Sequence, residues 1–446
     1  MSGAGGEDRA GKEVQAWWRR RWAVAAPPFV VVVRGAALLW LLVALLCVVR
    51  DGIAQPGTAL AFGLLICLGE LAHRGGEAAP LGTAGALAYA LLGHSGGAPT
   101  THGVLQVVVV CASASALGTA GGGARPGLDR IARRVLVVGF AAVCFQPAYN
   151  SGVVDGWVGH GTLYALFLAL LLALTGLSEA VLAAALLRAR TGHPYGPLLR
   201  DELRGLRGIG SAVCATGVVM ALAVGVVGLW ALPVFCVPLL LTQLSLRRYA
   251  EVRDTYRQTI ASLARATEIA GYTRPGHAHR VAALSVAVGR EMGLSGDELT
   301  LLEYAALMHD IGQLSLVDPV PAGATASLPV ADQRRIALLG GAVVRQTGVP
   351  ADVAVVVERQ ADPYREQPLT ARIVRAVNAY DDLAGECGGG LGGPLSALEL
   401  LRSGTGHDYQ SEVVESLALV LRRGSPRRGS LRRGRPARGV GLPPPG

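Results

Sequence analysis

Two hydropathy patterns divide the chain. Between residues 29 and 246 apolar residues run almost unbroken, interrupted by short polar or glycine-rich breaks. Beyond 246 they thin to helical spacing with charged residues between them. A helix needs about 20 apolar residues to cross a bilayer. Eight runs approach that length, at 29–49, 57–72, 79–94, 103–120, 133–149, 161–187, 209–227 and 229–246. The third and fifth are short and carry Gly or Pro. The pattern predicts an all-α protein: a polytopic membrane bundle of about eight spans followed by a cytoplasmic all-helical domain.

The breaks support an even count. Arg19–Arg21 precede the first run, His73 and Arg74 follow the second, and Arg125, Arg130, Arg133 and Arg134 lie between the fourth and fifth. Arg188, Arg190, Arg200, Arg204 and Arg207 separate the sixth and seventh, and Arg247 and Arg248 follow the eighth. The alternate breaks hold only Arg50. Basic residues mark the cytoplasmic side, so both termini are expected in the cytoplasm of an inner-membrane, multi-pass protein. Residues 1–28 carry charges and run into too long an apolar stretch for a cleavable signal peptide. Within the spans Arg34, Glu70 and Glu179 are the main charges. Charged side chains in such places mark transport paths when frequent; so few favour a sensor or anchor.

Residues 246–270, LRRYAEVRDTYRQTIASLARATEIA, contain no Gly or Pro. Tyr249, Tyr256 and Leu263 recur every seven residues, with Val252, Thr259 and Ala266 between them. This heptad spacing predicts a linker helix over 247–272 that joins two copies of the chain, or one amphipathic helix packed on its own domain.

Composition adds little. The 446 residues are 51% hydrophobic and 16% charged, with net charge +9. Lys12 is the only lysine, which fits a GC-rich coding background. The arginines cluster beside apolar runs, so the basic balance reads as membrane topology rather than nucleic-acid binding. Six cysteines (Cys47, Cys67, Cys111, Cys144, Cys214, Cys236) lie in the apolar runs and Cys387 in the polar part, with no C-x-x-C pair. Neither a zinc knot nor a disulfide framework is indicated. Residues 422–446 are low-complexity with eight arginines, a composition expected to be disordered and suited to anionic lipid headgroups; without interleaved aromatics it is a poor RNA ligand.

Chemistry concentrates in Leu299–Leu314, LTLLEYAALMHDIGQL, which ends a helical pattern in His309–Asp310. An imidazole and a carboxylate at a helix end can reach one metal ion. Upstream, GHAHRVAAL opens another helix with His277 and His279, and Gly312 lets the chain turn away closely.

From 268 to 421 the chain resembles the HD superfamily of metal phosphohydrolases, and within it the HD-GYP branch of cyclic-di-GMP phosphodiesterases. Glu268, Tyr272–Thr273, Gly276–His277 and Arg280–Val281 resemble that family's opening E…YT..GH..RV. Ala305 through Gly312 resemble its AALLHDIGK, Pro368–Leu369 with Ala371-Arg372-Ile373 its PL.ARI, and Asn378-Ala379-Tyr380-Asp381 its D.YD. Val413, Val414 and Leu417 match the closing helix. The resemblance implies that His277, His309 and Asp310 ligate a divalent metal ion such as manganese or iron, with Asp310 also catalytic. His277 is preferred over His279 for its spacing to Arg280–Val281. Asn378 stands at the last ligand as a weak donor, Glu358 is a further candidate, and Arg280 and Gln313 are placed toward substrate.

The departures are as informative. Gln313 replaces the lysine after HDIG, Ala337 and Val356–Val357 replace later histidines, the GYP segment is absent and Asn378 replaces an aspartate. Such a donor set holds one ion at most. Two functions are expected as alternatives for residues 273–421: metal-assisted hydrolysis of a phosphoester such as a (cyclic) nucleotide, or an inactive pseudoenzyme binding a nucleotide or protein.

Overall fold

The computed structural model describes residues 27–72, 79–121, 127–153, 161–317, 320, 323–386 and 393–424. The expected N-terminal tail up to 26, His73, Arg74, Arg125, Cys387 and the arginine-rich tail from 425 lie outside the described residues.

The chain is all-α. Among the described residues β pairing is limited to a two-residue ladder, β1 (His94–Ser95) against antiparallel β2 (Ala98–Pro99), and an isolated bridge between Thr405 and Tyr409. Contacts divide the chain into two compact units. The first holds residues up to Ser262 with the turn Gly293–Asp297, and the second holds Leu263–Met292 with Glu298 onward.

The first unit contains α1 (Pro28–Asp51), α2 (Pro56–Leu71), α3 (Pro80–Ala90), α4 (Val104–Gly121), α5 (Leu128–Asn150), α6 (Gly161–Thr191), α7 (Tyr195–Gly205), α8 (Ser211–Val227) and most of α9 (Ala231–Ile269). Helices α1, α2 and α3 each open on proline, whose fixed φ suits the first helical position and whose missing N–H costs nothing there. Phe62, Tyr89, Leu92, Phe145 and Met220 centre the core. Outward-facing apolar side chains are left bare, among them Leu46 at 70%, Val49 at 77% and Val226 at 82% exposed. Apolar surface of that extent suits lipid rather than water.

Among the described residues four helical stretches are long and apolar enough to cross a membrane: Pro28–Asp51, Leu128–Asn150, Gly161–Thr191 and the run Tyr195–Ile269. The sequence count of eight is therefore not met. With a rise of about 1.5 Å per residue, the 16 residues of α2 and the 11 of α3 fall short of a hydrocarbon layer about 30 Å thick. The seventh and eighth expected spans both fall in the fourth run, which is broken at Gly208 (φ −92°, ψ −114°). Its final apolar stretch and the expected linker form the single helix α9, 39 residues long.

Every charge singled out within the spans is paired, and each partner lies on the first two turns of α5. Arg34 bonds Asp129 at 2.7 Å, and Arg190 meets the same carboxylate. Glu179 accepts from Arg133 at 2.9 Å. Glu70, with its side chain 1% exposed, pairs with Arg134 and lies 3.8 Å from Arg130. Pairing of this kind offsets much of the cost of keeping charges out of water. It gives these residues a structural role that a transport path does not require.

The second unit contains α10 (His277–Glu291), α11 (Gly296–Met308, entering from the first unit), α12 (Val330–Gln346), α13 (Ala351–Arg359), α14 (Leu369–Glu386), α15 (Gly393–Ser403) and α16 (Ser411–Gly424). Helix α14 packs against α10, α13, α15 and α16, and its Ile373, Val374 and Val377 are at most 1% exposed. After α11 the chain turns through Ile311–Ser315 and presses on α12. A Cβ at Gly312 would stand 2.0 Å from the Ile336 carbonyl oxygen, so only glycine permits the approach.

Candidate metal centre

Two chain segments deliver the candidate ligands. Gly276, at φ 73°, turns the chain into α10, a left-handed conformation that glycine adopts without strain. His277 is thereby the first residue of α10, 2% exposed. His309 and Asp310 leave the end of α11, at 1% and 4% exposure. His277 Nε2 lies 3.3 Å from His309 Nε2 and 3.4 Å from Asp310 Oδ2, and His309 Nε2 lies 3.3 Å from Asp310 Oδ2. The three form one group of suitable donors.

The protons on both imidazoles are set by their outer nitrogens. His309 Nδ1 donates to the Ala306 carbonyl at 2.8 Å. His277 Nδ1 donates to Asp381 Oδ2 at 2.8 Å. Each neutral ring therefore presents a bare Nε2 lone pair inward. Asp310 Oδ2, the third inward atom, accepts no hydrogen bond. Three acceptors facing one another repel unless a cation or a proton stands between them. Ligands of one tetrahedral ion at about 2.0–2.1 Å stand about 3.3–3.4 Å apart, which matches the observed edges of 3.3, 3.3 and 3.4 Å. The residues present thus fit a single dication.

Left to protons, the cluster holds an extra one. Burial opposes charge on His277, but Asp310 and Asp381 outweigh it and push its pKa up to about 10. Asp310 is held below the usual carboxylate range, burial notwithstanding, by His309 and His277. Asp381 is lowered in the same way, its burial overcome by His277 and Arg280.

The other candidates are distributed around this group. Arg280 grips Asp381 with two bonds, Nε at 2.9 Å and Nη2 at 2.8 Å, and so buttresses the carboxylate behind His277. Gln313 is wholly buried; its amide adjoins Asp310 and helps keep it ionised, without a bond of ordinary geometry. Asn378 donates to Thr325 Oγ1 at 3.1 Å, Thr325 Oγ1 donates to Asp310 Oδ1 at 3.4 Å, and Asn378 Oδ1 has no partner. Glu358 is turned to Arg345, with a bond of 2.6 Å to Oε2, and is not in the convergent group. Ala337, Val356 and Val357 are at most 3% exposed and belong to the apolar core.

Sequence reasoning missed four residues. Asp381 sat inside a quoted motif without a role; its spacing of three from Asn378 on α14 puts both on one face. Asp382, four from Asn378, is buried, and burial with the nearby Asp310 charge raises its carboxyl to about 7 against the pull of His277. Thr325 carried no local signal. Arg375, three residues before Asn378, joins Asp310, Thr325, Gln360, Asn378 and Tyr409 in lining a cavity of about 240 Å³.

In comparison with known proteins, 70 residues are 33% identical to the cyclic di-GMP phosphodiesterase response regulator RpfG of Xanthomonas campestris pv. campestris. The match covers 16% of this chain and 18% of that relative. No family model and no solved structure matches. The chain is thus similar to this phosphodiesterase over a short stretch, a weak likeness that points to an HD-type domain.

Proposed function

We propose that the C-terminal unit is an HD-type phosphohydrolase domain that uses one dication held by His277, His309 and Asp310 to hydrolyse a phosphoester at a membrane. The supporting observation is the convergence of three buried acceptor atoms, two of them imidazole nitrogens whose outer protons are already committed. When bound, the ion polarises a phosphoryl oxygen and lowers the pKa of a bound water. Asp381 orients His277, as second-sphere carboxylates do for metal-bound imidazoles, and Arg280 holds Asp381. Asp310 would hold the ion and orient the attacking water, while Thr325 fixes its Oδ1. Asn378 offers its free Oδ1 as a weak further donor, and Glu358 serves the Arg345 pair instead.

A second reading draws on Ala337, Val356 and Val357. Apolar residues at the positions the resemblance assigns to histidines favour a pseudoenzyme that binds a nucleotide and signals without turnover. In either case the arginine-bearing end of the first unit faces the cytoplasm of a bacterial inner membrane, with both termini on that side. The bare stripe Tyr249, Val252 and Tyr256, at 67%, 53% and 48% exposed, pairs with a second copy of the chain.

Metal content of the full chain in detergent, beside a His309→Ala/Asp310→Ala variant, tests the reading. About one equivalent in the parent and none in the variant, with loss of bis(p-nitrophenyl) phosphate hydrolysis, is expected. Metal without turnover in the parent selects the pseudoenzyme. Metal and turnover retained in the variant reject the site.

A further inference from the structure

The cavity beside the ligand triad bears on what the site would take. On the basis of the phosphoester reading, whose substrate it narrows, we infer that Arg375 is the phosphate-recognising residue. The substrate then carries one phosphoryl group on a small, donor-rich remainder rather than the two of a cyclic dinucleotide.

Arg375 lies one helical turn before Asn378, so both project from one side of α14 into a cavity whose floor includes Asp310 and Asn378. Of these, Asn378 carries a buried side-chain oxygen, Oδ1, that has no hydrogen-bond partner. The guanidinium is fixed by a 2.7 Å bond from Nη1 to the Asp362 carbonyl and by the Tyr409 ring, 5.9 Å away. Its other donors are not taken up by an ion pair among the described residues. A planar guanidinium held in this way presents a fork that suits phosphate oxygens. Other arginines of this unit are committed, Arg280 to Asp381, Arg274 to Asp382 and Arg345 to Glu358. Among the described residues Arg375 is the one cation lining the cavity.

Size and charge restrict the rest of the ligand. The cavity, at about 240 Å³, lies below the range of about 300–1,000 Å³ usual for drug-sized ligands. A second cavity of about 450 Å³ shares Ala326, Ala379, Asp408 and Tyr409 with it. That space adds Asp382, Ser327 and Ser403 and holds no cation among its described lining residues. With no cation to offset Asp408, that space disfavours a second phosphate, and its carboxyl and hydroxyl groups accept hydroxyl or amine donors. The polarity therefore runs in one direction, phosphate beside Arg375, hydroxyl- or amine-bearing remainder beside Asp382, Ser327 and Ser403.

The test is calorimetric titration of the manganese-loaded full chain in detergent with inorganic phosphate, followed by competition with a 5′-nucleoside monophosphate and with a cyclic dinucleotide. Arg375→Gln should weaken phosphate at least tenfold with metal content unchanged, and Arg375→Lys should restore part of the loss. Val330, 57% exposed and on the cavity wall, gives variants that do not disturb the core: Val330→Glu should weaken phosphate and Val330→Lys tighten it. The monophosphate should displace phosphate at lower concentration than the cyclic dinucleotide. Phosphate binding indifferent to Arg375→Gln and to both Val330 variants, no phosphate binding at all, or a cyclic dinucleotide that competes best would each overturn the inference. A parent chain that takes up no metal rejects the metal site instead, and titrating that metal-free chain and Arg375→Gln with phosphate still reads Arg375.

Discussion

Replacing Asp381 by asparagine isolates what the carboxylate behind His277 contributes. In the parent, Asp381 accepts from His277 Nδ1 at 2.8 Å and receives two bonds from Arg280. Asparagine is nearly isosteric, and its amide oxygen can still accept from Nδ1. The negative charge that raises the basicity of the inward Nε2 is lost, and Arg280 is left beside a neutral amide. Second-sphere changes of this kind cost roughly 10–100-fold in metal affinity, or about 1.4–2.8 kcal/mol at about 1.4 kcal/mol per tenfold. Arg280→Gln should cost less, because the carboxylate remains in place. The pair in combination should cost less than the sum of the two, since each variant removes part of one network. The assay is competition between the full chain in detergent and a chromophoric chelator for manganese or zinc. Unchanged affinity in Asp381→Asn, with His309→Ala abolishing binding, would refute the idea that Asp381 tunes His277. Losses that simply add would refute the shared network.

Three further outcomes are expected. The metal-free chain should lose stability as pH rises. The folded pKa values of Asp382 (about 7) and His277 (about 10) both lie above their ordinary values, so the stability they contribute is full in acid and lost through those values. Thermal unfolding with a chelator should show a falling midpoint from pH 6 to pH 9, flattened below about pH 7 in Asp382→Asn; a rising midpoint would contradict the assigned directions. Gly312→Ala puts a Cβ 2.0 Å from the Ile336 carbonyl and should destabilise by about 3 kcal/mol, at the upper end of the usual overpacking cost, whereas a urea midpoint equal to the parent's would show that α12 can yield. Glu70→Ala leaves Arg134 in its buried place without its carboxylate and should cost about 3–5 kcal/mol, lowering the melting temperature in detergent; an unchanged melt would mean that water or lipid reaches Arg134.

The sequence determined a good deal. Unbroken apolar runs followed by helical spacing mark an all-α chain with helices long and apolar enough to cross a membrane. The His309–Asp310 pair at a helix end is a local signal, but the pattern left His277 and His279 open, and only the resemblance to the HD superfamily singled out His277, whose Nε2 lies within 3.4 Å of both partners. The number of full-length spans was not legible, since hydropathy does not report where Pro80 starts a helix or where the chain after Ala90 leaves it. The pairing of Arg34, Glu70 and Glu179 with α5 was equally hidden, because ion pairs form across helices distant in sequence. The same holds at the site. Asp381 behind His277, Thr325 between Asp310 and Asn378, and Arg375 over the cavity acquire roles only when α14 packs against α10 and the 325 turn, and Glu358 loses its candidate role because Arg345 lies one helix away. Local pattern decides which segments are helical and which residue types they carry; packing between distant segments decides which of those residues share one small volume.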